Sequence, residues 1–370
     1  MKQTSLLSYF NHKNGNNLNN INNINNNNTC KKDSIHTYFY LHWNDKKPKV
    51  QAQFLKDKPK LINFKHTFLW NNCEIVLCGY FDFLINRDDN DIYKPNKEKK
   101  YKNIGYLKSL LQKAIRRGNV DISVKCAYHY ILLDLQDFLR RLPIIIIEDT
   151  SLHEVYSTLI WLMVASNSKE CAILFEKVIY EYLMGIVYVI AKSSLYHSLD
   201  ISDMNNMNNM NNNQEFKFDI LKEEVHKKDI QLKSLIYSLM VRKAYGGMKC
   251  DLIMLENYAY IWNQLNNDSK YLNKSVVRPI MLESIPPLQL NEWLVEAIDF
   301  HCAPQILTYV NEEYEEYNEQ YIKDLIWNYS SKKNIRIKDE KISKNICSSD
   351  WNKIKGYVKR VQYYLLEENY

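Results

Sequence analysis

The sequence predicts a mainly α-helical protein of the α+β class, in which a small β-rich region precedes a multi-helix array. Three observations support this prediction. Gly and Pro are scarce, with 8 of each in 370 residues, so long regular elements are expected. Aromatic and β-branched residues are concentrated in short runs between residues 35 and 86. From Asn103 onward, apolar residues recur with helical periodicity.

The first 34 residues are predicted to form a tail outside the folded body. Residues 11–34 are dominated by Asn and cannot bury enough apolar surface to fold, so we expect them to be disordered. A flexible tether of this length spans roughly 25–30 Å. It would present residues 1–10 to a partner while the body stays in place.

The predicted β-rich region covers residues 35–102. Its candidate strands are separated by Asn, Asp, Lys and Pro, which favour turns. In chain order the strands are Ile35–Trp43, Val50–Phe54, Leu61–Trp70 and Glu74–Ile85. The polar and charged stretch 87–102 is a plausible boundary with the helices that follow.

Residues 103–370 are predicted to form a helical domain. Its first helix ends at Gly118, and a second helix begins at Val120. We expect Leu142-Pro143 to break this second helix, because Pro lacks an N–H and disfavours helical backbone in the residue before it. The apolar run Ile144–Ile147 would then be a buried short strand or helix.

The rest of the predicted helical domain follows the same apolar periodicity. A third helix face starts at Leu152 and ends near Met163. Further helices are predicted near residues 168–197, 217–245, 250–266, 290–300, 304–328 and 350–367. The Asn-rich stretch 204–213 lies between two helical patterns and is interpreted as a loop insertion.

Composition and charge limit the classes of function. The net charge of +6 permits contact with nucleic acid but does not require it. The eight Cys are scattered without a C-x-x-C pair, and the N-terminus has no apolar signal region, which indicates an intracellular protein with reduced thiols. The apolar run Val178–Ala191 is shorter than the ~20 residues of a membrane span, so no membrane partner is expected.

The sharpest functional pattern is the opening MKQTSLLSYF. In a single helical turn, Leu6, Tyr9 and Phe10 fall on one side, and an aliphatic anchor with two aromatic rings is typical of a binding hot spot. Gln3 can both donate and accept a hydrogen bond, which suits a small polar pocket next to the apolar one. These four residues predict a short recognition peptide.

This peptide resembles the PIP box, Q-x-x-[ILM]-x-x-[FY]-[FY], by which replication and repair proteins dock on the sliding clamp PCNA. Gln3, Leu6, Tyr9 and Phe10 occupy all fixed positions of that pattern. The resemblance covers about eight residues and implies PCNA as partner. It also implies a location in the nucleus and a role in DNA replication or repair.

A second resemblance involves residues 107–153. This stretch is similar to the helical collar region of RarA/MgsA-type AAA+ proteins, which are relatives of the clamp loaders. The residues that carry it are Lys113, Arg116, Arg117, Arg140, Arg141, Glu148 and Asp149. No G-x-x-x-x-G-K-[ST] motif occurs, so the resemblance implies a helical module without the ATPase core. An ordinary helical repeat with an ion-paired corner at Arg140, Arg141, Glu148 and Asp149 is the alternative.

Two acidic groups could serve a metal-dependent nuclease, which needs several carboxylates around Mg²⁺. They are Asp82, Asp88, Asp89 and Asp91, and then Glu148, Asp149 and Glu154. A solvated loop explains the first group, and pairing with the neighbouring arginines explains the second.

Two further patterns concern His and Cys. His66, Cys73 and Cys78 lack a fourth ligand for zinc, so buried free thiols are the simpler interpretation. His301-Cys302 could be a nucleophile dyad, but adjacent residues seldom face each other. We expect His301 to be a buried polar residue before Pro304. We assign no catalytic residue, metal ligand or cofactor.

Basic groups could contact DNA through phosphates. The candidates are Lys113, Arg116 and Arg117, with the runs 94–102 and 332–338. Solvated helix faces explain these groups equally well, and the run 94–102 could also direct nuclear import.

Three hypotheses therefore remain. The chain is a PCNA-binding adaptor, a PCNA-recruited metal-dependent nuclease, or a helical scaffold unrelated to DNA. The adaptor is favoured, because the sequence shows the docking peptide but no metal-site signature.

Overall fold

A computed structural model of the chain describes most of the residues after the predicted tail. The described residues are 38–44, 50–70, 73–84, 103–168, 174, 176–193, 225, 228–264, 272–334, 342–343 and 345–369. The chain divides into two units, Met1–Ile35 and His36–Tyr370, and all described residues belong to the second. The predicted tail 1–34, the charged stretch 87–102 and the Asn-rich insertion 204–213 lie outside the described residues.

Four strands form one mixed sheet near the start of the described chain. They are β1 (Tyr38–Trp43), β2 (Gln51–Leu55), β3 (Phe64–Trp70) and β4 (Cys73–Phe81). The order across the sheet is β2-β1-β4-β3. β1 runs antiparallel to β2 and parallel to β4, and β3 runs antiparallel to β4. Each predicted strand is therefore present, with ends that shift by a few residues.

The described helices follow the sheet along the chain. They are α1 (Ile104–Arg116), α2 (Val120–Leu133), α3 (Leu135–Asp149), α4 (Tyr156–Ala165), α5 (Lys177–Lys192), α6 (Ile230–Ala244), α7 (Lys249–Gln264), α8 (Gln305–Glu313), α9 (Glu319–Ile326) and α10 (Ser348–Asn369). Short 3₁₀ turns lie at Asp82–Leu84, Leu282–Ser284, Leu290–Glu292 and Val295–Ala297, and a π-helix at Trp327–Ser331. The predicted mainly α class with a small sheet is confirmed.

The sheet packs against helices α4 and α6, and strands and helices share one hydrophobic core. Trp161 on α4 is fully buried and its Nε1 donates to the carbonyls of Phe39 on β1 and Cys78 on β4, at 3.0 and 3.1 Å. Hydroxyl groups cover the outer edge of β2. Thr158 Oγ1 accepts from the amide of Ala52, and Ser234 Oγ accepts from the amide of Phe54. The edge strand β2 is thus held by side chains of the helices.

The predicted break at Leu142-Pro143 is wrong. The second helix ends instead at Asp134, whose φ of −156° is extended and whose side chain caps α3 by accepting from the Asp137 amide at 2.8 Å. Pro143 lies inside α3. Because Pro143 has no N–H, the carbonyl of Leu139, four residues earlier, lacks its usual helical donor. Arg242 of α6 donates from Nε and Nη2 to the next carbonyl, that of Arg140, at 3.1 and 2.9 Å. This donation supports the helix at the proline.

Helix predictions in the C-terminal third need two corrections. Residues 290–300 form 3₁₀ turns at Leu290–Glu292 and Val295–Ala297 and not a continuous α-helix. The predicted helix 304–328 is divided into α8 and α9, because Asn318 starts a new helix by accepting from the Tyr321 amide at 2.9 Å. Residues 290–300 are called the 3₁₀ segment below. The segment contacts α1 and provides two carboxylates of the site described next.

Candidate functional site

The predicted basic residues of α1 lie at its C-terminal end, in a cluster that we call the charged corner. The corner comprises Lys113, Arg116 and Arg117 of α1, Glu148 and Asp149 of α3, and Glu296 and Asp299 of the 3₁₀ segment. Helical spacing brings the three basic side chains to neighbouring positions. α1 ends at Gly118 with a φ of 68°, and the Asn119 amide donates to the carbonyl of Ala114 at 2.8 Å, as in a Schellman cap.

Lys113 forms a buried ion pair with Asp299. Its Nζ lies 2.7 Å from Oδ2 of Asp299 and also donates to Ser109 Oγ at 3.0 Å. Oδ1 of Asp299 accepts from the amide and the Nδ1 of His301 at 3.0 and 3.2 Å. Burial raises the pKa of Asp299, but the hydrogen bond from His301 and the Lys113 ammonium outweigh it and hold that pKa well below its usual value. Asp299 is therefore a charged and fully satisfied carboxylate.

Arg116 joins three elements. Its Nε lies 2.5 Å from Oδ1 of Asp149, and its Nη2 lies 3.3 Å from Oδ2 of the same carboxylate. Its Nη1 donates to the carbonyl of Ser331 in the π-helix at 2.8 Å. Gln112 adds donors from Nε2 to Glu148 and Asp149 at 2.8 and 3.1 Å. Arg116 thus makes a bidentate contact with Asp149, which connects α1 to α3. Its hydrogen bond to Ser331 connects α1 to the π-helix.

Arg117 occupies the outer side of the corner. Its Nη1 lies 3.1 Å from Oε2 of Glu296, and its Nη2 donates to the carbonyl of Ser330 at 3.3 Å. Lys359 of α10 lies 3.8 Å from the other oxygen of Glu296. One carboxylate therefore balances two basic side chains here.

The predicted set Arg140, Arg141, Glu148 and Asp149 does not form one cluster. Arg141 and Glu148 lie two helical turns apart on the same side of α3, with 3.7 Å between Nη2 and Oε2. Asp149 contacts Arg116 of α1 instead of either arginine of α3. Arg140 points elsewhere and donates from Nη2 to the carbonyl of Tyr245 at 3.2 Å. Burial and the nearby Asp149 raise the pKa of Glu148, against the opposing charge of Arg141.

This geometry bears on the predicted nucleic-acid contacts. The side chains of Lys113, Arg116 and Arg117 are only 7%, 11% and 16% exposed, and each contacts a carboxylate. A phosphate would have to compete with buried carboxylates for these cations. As placed, they hold α1, α3 and the 3₁₀ segment together.

The predicted acidic groups are also dispersed. Glu148 and Asp149 are paired with arginines, whereas Glu154 accepts from Nε2 of Gln231 at the start of α6, at 3.0 Å. Asp82 begins a 3₁₀ turn after β4, and Asp88, Asp89 and Asp91 lie outside the described residues. Across the described part of the chain, no group of three His, Cys, Asp or Glu side chains could hold a metal ion.

The predicted His and Cys candidates do not meet on the sheet. His66 is paired with Leu77, and Cys78 is paired with Lys65, so His66 and Cys78 point to opposite faces. Cys78 is fully buried, and burial raises the pKa of its thiol to about 12. The side chain of Cys73 is not among those that the structure describes.

His301 and Cys302 do not form a dyad. The expectation of a buried His301 is wrong, because its side chain is 57% exposed and is anchored on Asp299. The Cys302 thiol donates to the carbonyls of Ala297 and Asp299 at 3.3 and 3.4 Å. Burial and then the Asp299 carboxylate raise the pKa of Cys302 to about 11, so its thiol is a poor nucleophile near neutral pH.

Sequence patterns missed Asp299 and Glu296, which balance the basic residues of α1. The one available signal was Asp299 itself, an isolated acid in the apolar stretch AIDFHCA. Such an acid needs a buried partner, but a single sequence does not say which one.

Comparisons with known proteins found no matching family, no similar curated protein and no similar solved structure. The resemblance of residues 107–153 to the RarA/MgsA collar therefore stays a prediction. Gln3, Leu6, Tyr9 and Phe10 lie outside the described residues. In the described chain, no helix combines the length and apolar character needed to cross a membrane.

Proposed function

We propose that this protein is a PCNA-binding accessory or adaptor protein of DNA replication or repair, acting in the nucleus. The observation that carries the proposal is the set Gln3, Leu6, Tyr9 and Phe10, which meets all fixed positions of the PIP box. Leu6, Tyr9 and Phe10 would fill an apolar pocket of the clamp, and the Gln3 amide would bind beside it. Lys2 and Lys13 would favour an acidic rim.

The charged corner supports an adaptor better than a nuclease. A nuclease centred on Glu148 and Asp149 would need both carboxylates for Mg²⁺. Here Arg116 contacts Asp149 through Nε and Nη2, and Glu148 contacts Arg141 and Gln112. These carboxylates already have strong partners that fix the packing of α1 on α3.

The collar resemblance is consistent with the same proposal. Residues 107–153 form most of α1, all of α2 and α3, and the loop that follows. A helical module related to the clamp loaders would suit a protein that acts beside the clamp. This relation is part of the proposal and carries less of it than the docking peptide does.

A titration of PCNA with a synthetic peptide of residues 1–14 tests the proposal. We expect saturable binding, which is lost when Tyr9 and Phe10 are both replaced by Ala. The matched control is Ser8→Ala, a change at a position that the pattern leaves free, and it should bind like the original peptide. Absence of saturable binding by the unmodified peptide would refute the proposal.

A further inference from the structure

A cleft beside the edge of the sheet contains an unusual group of lysines. Residues 54–60, together with Ile230 and Lys233 of α6, line a space of about 420 Å³, which we call the lysine cleft. Phe54 is fully buried, and Ile230 is exposed. This volume lies within the roughly 300–1,000 Å³ range of small-molecule sites.

Lys233 is the central residue of the lysine cleft. It lies in the first turn of α6, and only 9% of it is exposed. Among the described residues, no carboxylate or carbonyl is within hydrogen-bond distance of its Nζ. The neighbouring Ser234 is bonded to the backbone of Phe54 and fixes the helix against β2. A rigid wall therefore presents an ammonium group that has no bonded anion.

The surroundings of Lys233 increase the positive charge. Lys56, Lys58 and Lys60 line the same cleft, are exposed, and form no ion pair with a described residue. Asp57 is the acidic residue of the lining. Asp229 lies nearby, but its Oδ1 is occupied as the helix cap and accepts from the Gln231 and Leu232 amides at 2.9 and 3.0 Å.

The helix direction adds to this charge. Lys233 is close to the N-terminal end of α6, where the helix dipole is positive and favours an anion. Burial, and then the neighbouring Lys56, lower the pKa of Lys233, whereas Asp229 opposes the shift only in part.

The ammonium group of Lys233 is accessible from the lysine cleft, although most of the residue is covered. Its Nζ is not one of the buried side-chain nitrogen and oxygen atoms of the described residues that lack a hydrogen-bond partner. An ammonium group that is open to solvent and has no bonded anion is available to an anionic ligand.

We propose that the lysine cleft binds a small molecule that carries a phosphomonoester group. A phosphate dianion offers several acceptor oxygens to the ammonium groups of Lys233 and Lys56, and lysine binds phosphate as a point charge. The concave shape favours a compact ligand over duplex DNA, because a small phosphate can approach Lys233 and Lys56 from within the cleft. Phe54 is fully buried beneath the cleft, so no exposed aromatic face is present in the lining for a base to stack on.

The test is a calorimetric titration of the full chain with inorganic phosphate and, separately, with adenosine monophosphate, at constant ionic strength set with sodium chloride. We expect saturable binding with a dissociation constant of about 1 mM or lower. Tighter binding of the nucleotide identifies a nucleotide as the source of the phosphate, and equal binding identifies the phosphate group alone. Either result supports the proposal.

The decisive variant is Lys233→Gln, and the matched control is Lys355→Gln on the exposed side of α10. Loss of one charge-assisted hydrogen bond should weaken binding by roughly tenfold or more for Lys233→Gln. Lys355→Gln should bind like the unchanged protein. Equal binding by the unchanged protein and Lys233→Gln would overturn the proposal.

Two further measurements keep the result interpretable. Thermal unfolding shows whether Lys233→Gln is folded, and Lys56→Gln gives a second variant whose side chain is exposed and whose folding should be unaffected. Phosphate should raise the melting temperature of the unchanged protein by mass action. Duplex DNA or anionic phospholipid vesicles that bind through Lys233, with no saturable binding of phosphate or nucleotide, would refute the small-molecule assignment.

Discussion

Lys113 and Asp299 form a buried ion pair, with 2.7 Å between Nζ and Oδ2, although they lie 186 residues apart in the sequence. The pair joins α1 to the 3₁₀ segment before α8. Because both side chains are buried, each depends on the other for its charge balance.

Replacing Lys113 by Met should destabilise the protein by about 3 to 5 kcal/mol, because the Asp299 carboxylate is left buried without its ammonium partner. Urea-induced unfolding measures this loss. The control is Lys323→Met, which removes an exposed pair with Glu319 one helical turn away and should cost less than about 1 kcal/mol. If both variants lost the same free energy of unfolding, the buried pair would contribute no more to stability than the exposed pair.

Acid should weaken the same pair. The pKa of Asp299 is lower in the folded protein than in the unfolded chain, so its contribution is complete above the unfolded value of about 3.9. The contribution is lost as the pH falls through the folded pKa. Stability measured from pH 5 downward should therefore fall less steeply in Lys113→Met than in the unchanged protein. Parallel pH profiles would contradict this assignment.

Gly185 on α5 lies against the backbone of the segment that contains Val277 and Arg278. A Cβ at this position would be 2.1 Å from the carbonyl oxygen of Arg278 and 3.2 Å from the side chain of Val277. The Ile280 amide donates to the Glu181 carbonyl at 3.0 Å and holds this segment on the helix. Gly185→Ala should therefore destabilise the protein by about 1 to 3 kcal/mol.

The matched control is Gly356 in α10, where an added Cβ meets nothing within 4 Å. Gly356→Ala should stabilise the protein by roughly 0.5 to 1 kcal/mol, because Ala loses less backbone entropy in a helix. Melting temperatures of the two variants should move in opposite directions. An unchanged or raised melting temperature for Gly185→Ala would disprove the close approach at Gly185.

His153 makes stability depend on pH in the mildly acidic range. It is fully buried, its Nδ1 accepts from the Val155 amide at 3.1 Å, and its Nε2 donates to the Ser275 carbonyl at 3.0 Å. Burial lowers the pKa of His153 to about 4. The unfolded chain, with a His pKa of about 6.5, therefore takes up the proton first as the pH falls.

Stability should consequently decrease between about pH 6.5 and pH 4, by on the order of 3 kcal/mol from this residue. Unfolding in urea at a series of pH values measures the slope. His153→Gln removes the titrating group and should flatten that slope, whereas His66→Gln on the edge strand β3 should leave it unchanged. A profile for His153→Gln as steep as that of the unchanged protein would contradict the prediction.

The local parts of the fold could be predicted from the sequence. The strands were found because alternation of aromatic and β-branched residues is a short-range signal, so that Val50–Phe54 was expected and Gln51–Leu55 is observed. The end of α1 at Gly118 was predicted because that position needs a positive φ. The capping role of Asp134 was missed, because Pro143 gave a stronger local signal for a break.

The long-range parts could not be predicted from one sequence. β1 and β4 pair in parallel at the centre of the sheet, and β2 and β3 lie at its edges. This arrangement depends on packing of the sheet against α4 and α6. The carboxylates that balance Lys113, Arg116 and Arg117 come from segments distant in the sequence. The basic residues were recognised as candidates, but their partners depend on the folded arrangement.

The most direct test of the proposed docking is a titration of PCNA with the full chain. We predict saturable binding that the 1–14 peptide displaces and that replacement of Leu6, Tyr9 and Phe10 by Ala abolishes, while the melting temperature of the body stays the same. Binding that survives this triple replacement, or a chain that does not bind PCNA at all, would contradict the account.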